Sequence, residues 1–111
     1  MSNDPVILDE SAALEATGGD LELAKILQST CLEEAPKIIL DAKTAVDNGD
    51  FELARRCGHS LKSSFAAIGA AAASAQSEAL EFSESENSED YAVLIGQIEG
   101  ALHQLADLIE S

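Results

Sequence analysis

Tyr91-Ala-Val-Leu-Ile95-Gly-Gln-Ile98-Glu-Gly-Ala-Leu102-His-Gln-Leu105-Ala-Asp-Leu-Ile109 carries the clearest period in the chain. Its apolar anchors Tyr91, Ile95, Ile98, Leu102, Leu105 and Ile109 are spaced 4, 3, 4, 3 and 4. At 3.6 residues per turn, such steps hold one apolar stripe on one side of a helix. A stripe of this kind is the a/d seam of a bundle, and it needs other helices to cover it.

Upstream of this segment the chain supplies them. The polar stretch from Ser83 to Asp90 reads as a connection, preceded by an alanine-rich helix from about Ala71 to Glu84 whose Ala71, Ala72, Ala75 and Ala79 suit close packing. A helix from Phe51 ends near Ile68-Gly69, and Asp47-Asn-Gly-Asp50 before it is a turn. Asp20 caps a long helix to about Val46 that carries Leu21, Ala24, Leu27, Cys31, Ile38, Ala42 and Ala45, with Pro36 expected to bend it. A short piece from Leu8 to Thr17, capped by Asp9, stops at Gly18-Gly19. β-branched and aromatic residues never alternate with polar ones over a useful window, so strands are not expected. The fold expected is all-α: one domain over residues 1–111, an antiparallel up-down four-helix bundle with a short additional N-terminal helix.

Six Lys and Arg stand against 21 Asp and Glu in 111 residues, a net charge of −15. That balance argues against nucleic-acid binding and against adsorption to an anionic membrane. The carboxylates read as a solvated surface. Cys31 and Cys57 lie 26 positions apart without metal-ligand spacing and read as reduced core thiols. The acidic start lacks the basic and apolar regions of a signal peptide, no apolar run spans a bilayer, and a cytoplasmic location is expected.

Chemistry concentrates on the helix from Phe51. On a wheel centred on His59, Leu53, Ala54, Cys57, Leu61, Ser64, Phe65 and Ile68 fall on the opposite, core-facing side. Glu52, Arg55, Arg56, Lys62, Ser63 and Ala66 fall on the histidine's own side, so His59 faces solvent. Three of six basic residues thus surround one histidine at i−4, i−3 and i+3 in a strongly acidic chain. Positioned cations stabilise charge on a transferring phosphoryl group. His103 is the contrast: Glu99 and Asp107 flank it at i−4 and i+4, and it reads as a partly exposed residue without a role. The residues three before His59 and His103 are Arg56 and Gly100, so the Glu-x-x-His pairs of a carboxylate-bridged metal centre are missing. No metal site is expected.

The stretch His59-Ser-Leu-Lys62-Ser63-Ser64-Phe-Ala-Ala-Ile-Gly69-Ala70 closely resembles the histidine-containing phosphotransfer (HPt) family, whose signature is His-x-Leu-Lys-Gly with a Gly-Ala a few residues beyond. Gly18-Gly19-Asp20, Leu32-Glu-Glu-Ala-Pro36 and Gly49-Asp50 also look like family landmarks. Ser63 stands where the family usually has glycine, at a position that leaves room for the docking partner.

The resemblance implies a phosphorelay intermediate of two-component signalling rather than a stand-alone enzyme. His59 would take a phosphoryl group from a receiver-domain aspartate and pass it to another, with Lys62 holding the phosphoryl group. Imidazole, with an ordinary pKa of about 6.5, is a competent nucleophile near neutral pH without an activating base. The chain would bind no ATP and no cofactor of its own, and Mg²⁺ would sit on the partner receiver. Partners implied are receiver domains of response regulators or a hybrid histidine kinase, docking around Arg55, Arg56, Ser60, Ser63, Ala66 and Ala67, with the protein acting as a monomer. The rival reading is an HPt-like module that docks on a receiver or kinase without carrying phosphate.

Overall fold

Three aspartates open the first three helices. Asp9, Asp20 and Asp50 each accept a hydrogen bond at 3.1 Å from the backbone N–H three residues on, at Ala12, Leu23 and Leu53. Each cap satisfies an N–H that the helix itself cannot, and is worth about 1 kcal/mol. In the computed structural model, which describes residues 6–110, the elements are α1 (Glu10–Ala16), α2 (Leu21–Asp47), α3 (Phe51–Ala67), α4 (Ala71–Glu81) and α5 (Ser88–Glu110). The first residues of the acidic start, 1–5, and the end of the expected domain at 111 lie outside the described residues.

The fourth helix opens by a different device. Its N-cap, Ala70, has no side chain to offer. The backbone of the N-terminal strap substitutes: the Ala72 N–H donates to Val6 O at 2.8 Å, and the Asp9 N–H donates to Gly69 O at 2.8 Å. Gly69 adopts φ +75°, and a Cβ there would lie 2.2 Å from Asp9 O, so only glycine admits this strap.

The second and fourth helices each pack on both α3 and α5, and α1 rests on α2. The four long helices therefore form a closed ring around the core, and all described elements are helical. Leu61, Phe65, Ile68, Leu80, Tyr91, Ile98 and Leu105 are its large, fully buried side chains, each worth about 1.5–3 kcal/mol of burial if aliphatic or Phe. The α5 seam stands as expected, with Tyr91, Ile95, Ile98, Leu102 and Leu105 buried and Ile109 half-buried.

Several expectations need correction. Leu21 is exposed because it occupies the first turn of α2, ahead of the buried stripe that begins at Ala24. Leu53 is 41% exposed rather than core. The buried face of α3 is rotated toward Gly58, which is buried, because α4 packs over that glycine. Ala71, Ala75 and Ala79 are exposed, and α4 makes its close contacts through Ala73, Ser77 and Leu80 instead. The helix ends at Glu81, not Glu84, and α5 starts three residues before Tyr91. Side chains in the polar run nucleate that start: the Asn87 N–H donates to Ser85 Oγ at 3.0 Å and the Glu89 N–H to Asn87 Oδ1 at 2.8 Å. The second helix continues through Pro36 to Asp47, in line with its expected extent.

Cys31 and Cys57 are free and buried. Burial pushes the Cys31 thiol up to about 11, and raises that of Cys57 with help from the charge of Asp41. Such thiols are inert. Among the described residues no helix is long and apolar enough to cross a membrane.

Candidate functional site

Glycine inside a helix costs about 0.5–1 kcal/mol relative to alanine, so Gly58 in the middle of α3 needs a reason. A Cβ at position 58 would stand 2.7 Å from the Glu81 backbone N and 2.9 Å from Ser77 O. The bare glycine lets the α4 backbone lie directly against α3. Ser77, also fully buried at this contact, turns its hydroxyl back to donate to Ala73 O at 2.8 Å, and leaves no unpaired polar atom. One turn further along α3, Ser74 Oγ donates to the Lys62 carbonyl at 3.1 Å and ties the two helices again.

This close approach delivers Glu81, the last residue of α4, to the face of α3 that carries His59. Its carboxylate bridges two side chains: Oε2 faces His59 Nδ1, and Oε1 accepts from Lys62 Nζ. The side chain of His59 is 63% exposed, whereas that of Glu81 is 14% exposed. The Lys62 ammonium also lies 5.1 Å from the ring centroid of exposed Phe82, a cation–π distance. The hydrogen bond from Lys62 chiefly holds the Glu81 carboxyl below its ordinary 4.5; partial burial opposes this, while the bond to His59 and both neighbouring charges reinforce it.

The two arginines have other partners. Arg55 donates to the Tyr91 hydroxyl at 2.8 Å, and that hydroxyl donates to Ser85 O at 2.7 Å. Tyr91 in turn stacks on Phe51, with centroids 4.6 Å apart. Arg55 therefore braces α3 against α5 and the α4–α5 connection. Arg56 pairs with Glu52 at 2.8 Å on an exposed stretch of the same helix. Both still line one concavity together with Glu52, His59, Ser60 and Glu81. Ser60, Ser63, Ala66 and Ala67 are exposed on the surrounding face.

Of the expected cluster, then, Lys62 is joined to the imidazole through a shared carboxylate, and Arg55 and Arg56 stand at its edge. Glu81 is the residue that reading the sequence missed. It lies 22 positions from His59 on another helix. The available signal was Gly58, a mid-helix glycine beside the histidine. His103 is exposed and lines a groove between α2 and α5 with Leu40, Lys43 and Glu99. Among the described residues no three His, Cys, Asp or Glu side chains are grouped to hold a metal ion.

A model of the Hpt domain family matches residues 26–109, a span holding His59, Lys62 and Glu81. No curated protein and no solved structure matches the chain. With well over half of its length matched and a solvent-facing histidine on α3, the chain belongs to the Hpt domain family.

Proposed function

We propose that this protein is a phosphocarrier that accepts a phosphoryl group on His59 from a receiver-domain aspartate and delivers it to the aspartate of a second receiver. Hpt domains take part in phosphorelay signalling. The observation that carries the finer reading is the pairing of an exposed imidazole with a lysine three residues on along the same helix face.

In the forward step an imidazole nitrogen attacks the phosphorus of the aspartyl phosphate. The N–P bond forms as the P–O bond to the aspartate breaks, and the carboxylate leaves on the receiver. Delivery reverses these events on a second receiver. An overall charge of −15 opposes the approach of a phosphoryl group, so local cations have a large task. Lys62 is the one positioned to hold the phosphoryl oxygens, and Arg56, paired only at the surface, is free to exchange Glu52 for a partner's carboxylate at little cost. Mg²⁺ belongs to the receiver and supplies charge neutralisation there.

The exposed face formed by Ser60, Ser63, Ala66 and Ala67 is the receiver-docking surface in this reading; small side chains permit close approach, and Ser63 adds a hydroxyl where the family usually has none. Connections of three residues, 48–50 and 68–70, support an up-down antiparallel course for α2 to α5, with α1 as an added helix. The bundle acts as a single cytoplasmic domain and as a monomer.

Phosphoryl transfer from a panel of phosphorylated receiver domains tests the proposal. The natural protein and His103→Gln should gain an acid-labile phosphate, and His59→Gln should gain none. Receiver binding without phosphate on His59 would replace the carrier by a docking module, and Ser63→Gly would be the next variant.

A further inference from the structure

Gly58 is explained by the helix that covers it, but the two glycines in the middle of α5 have no such explanation. Gly96 and Gly100 have nothing within 4 Å of a Cβ, so each weakens its helix relative to alanine without serving a contact among the described residues. Gly96 belongs to a second stripe on α5, made of Ala92, Gly96, Glu99, His103, Ala106 and Glu110 at steps of 4, 3, 4, 3 and 4. The other members of that stripe line the groove between α2 and α5.

Two concavities of about 470 and 260 Å³ make up this groove, joined at Lys43 and Glu99, which line both. The larger is walled by apolar Leu32, Pro36, Leu40 and Leu102 and reaches Glu110; the smaller reaches Asp47 and Ala92. Leu40 is 63% exposed at its edge. From Leu32 to Asp47 the groove follows α2 for about 22 Å, and from Ala92 to Glu110 it follows α5 for about 27 Å, or about four to five helical turns.

Charge along the groove is unevenly met. In the middle, Lys43 pairs with Glu99 at 2.9 Å. At the two ends stand Asp47, the last residue of α2, and Glu110, the last of α5. Each carboxylate adds to the negative end of its helix dipole, and neither last turn holds a basic residue to offset it. The result is an apolar trough with a wall of small residues and uncompensated negative charge at both ends.

We propose that the α2–α5 groove docks an amphipathic helix of a partner protein, one that lays an aliphatic stripe against Leu40 and Leu102 and brings a Lys or Arg at each end to Asp47 and Glu110. Ala92, Gly96 and Ala106 let the incoming backbone come close. The exposed Lys43–Glu99 pair lies across the path and opens at little cost. A second copy of this chain does not fit, because it carries the same charge of −15 and the same acidic helix ends. In the ring of helices the α2–α5 contact lies opposite α3–α4, so the groove is separate from the His59 face and its role holds whether or not His59 carries phosphate.

A peptide titration followed by amide NMR of the full chain tests this. The probe is an alanine-rich peptide of about 18 residues, long enough to span the groove, with leucines at alternating three- and four-residue steps and two lysines at each end. Its controls are the same composition with the leucines dispersed around the helix, and the same stripe with glutamates at the ends. The lysine-ended peptide should bind, shift amides along residues 32–47 and 92–110, leave the His59 ring signals in place, and weaken with added salt. Leu40→Asp, at an exposed position, should weaken it by about tenfold with the helical circular dichroism unchanged. Gly96→Gln, which stands a side chain on the open wall, should weaken it as well. Asp47→Lys combined with Glu110→Lys should turn the preference toward the glutamate-ended peptide. No binding, equal binding of the dispersed or glutamate-ended peptide to the natural chain, or shifts centred away from the groove would overturn the proposal. So would a natural chain that sediments as a dimer and is made monomeric by Leu40→Asp, which would give the groove to a second copy.

Discussion

The α3–α4 and α2–α5 contacts each bring two helices together beside a histidine, and among the described residues only the first gives its histidine a carboxylate from the neighbouring helix. Where α3 meets α4, Gly58 faces Ser77 O, the Glu81 N and the Leu80 side chain, and backbone nearly touches backbone. A side chain leaving α4 therefore reaches the face of α3 that carries His59, as Glu81 does. Where α2 meets α5, larger residues such as Leu32, Leu40 and Leu102 hold a groove open. A surface ion pair, Lys43 Nζ to Glu99 Oε2 at 2.9 Å, bridges it, and His103 points to water. The difference is one of how closely the helices approach, set by side-chain volume, and it decides which histidine meets a carboxylate from the neighbouring helix.

Glycine substitutions should break this comparison most strongly. Gly58→Ala places a Cβ against the α4 backbone and should destabilise the bundle by about 1–3 kcal/mol in urea unfolding, in spite of alanine's better helix propensity. The same variant should loosen the bridge from Glu81 to His59 and Lys62, read as a change in the His59 ring signals by NMR. On α5, Gly96 and Gly100 have nothing within 4 Å of a Cβ, so Gly96→Ala and Gly100→Ala should each stabilise by about 0.5–1 kcal/mol. If all three glycines respond alike, the close approach at Gly58 is not what holds α4 in place.

Acid unfolding sharpens the contrast from another side. The Glu81 carboxyl is held below its ordinary 4.5, chiefly by Lys62, so its contribution to stability is complete above that value. It is lost as pH falls through the lower folded value, because the unfolded chain then takes up the proton more readily than the folded one does. Urea midpoints measured over a series of acidic pH values should therefore fall less steeply in Glu81→Gln than in the natural protein, and the two curves should stay parallel above pH 4.5. Identical acid limbs would mean that the carboxylate contributes nothing to the folded state. The smallest effect belongs to the open groove: a double-mutant cycle on Lys43 and Glu99, both 40% exposed or more, should give about 0.2–1 kcal/mol, diminishing with added salt.

Much of this could be read along the chain. The 4, 3, 4, 3, 4 spacing from Tyr91 to Ile109 placed α5 and its buried stripe, because helical period is a local property. Asp9, Asp20 and Asp50 marked helix starts, since a cap bonds within three residues of itself. The solvent-facing position of His59, with Lys62 one turn on, follows from the same local geometry. Leu53 and the alanines of α4 misled for a related reason: a wheel gives the angle between residues but not which neighbour covers them.

Contacts between helices obey no such local rule. That Glu81 would meet His59 and Lys62, that Arg55 would spend its guanidinium on Tyr91, and that the core of α3 would turn toward Gly58 were decided by packing. Spacing along one helix specifies which residues share a face. Which carboxylate crosses from the next helix depends on how near that helix can come, and here the missing side chain of Gly58 sets the distance.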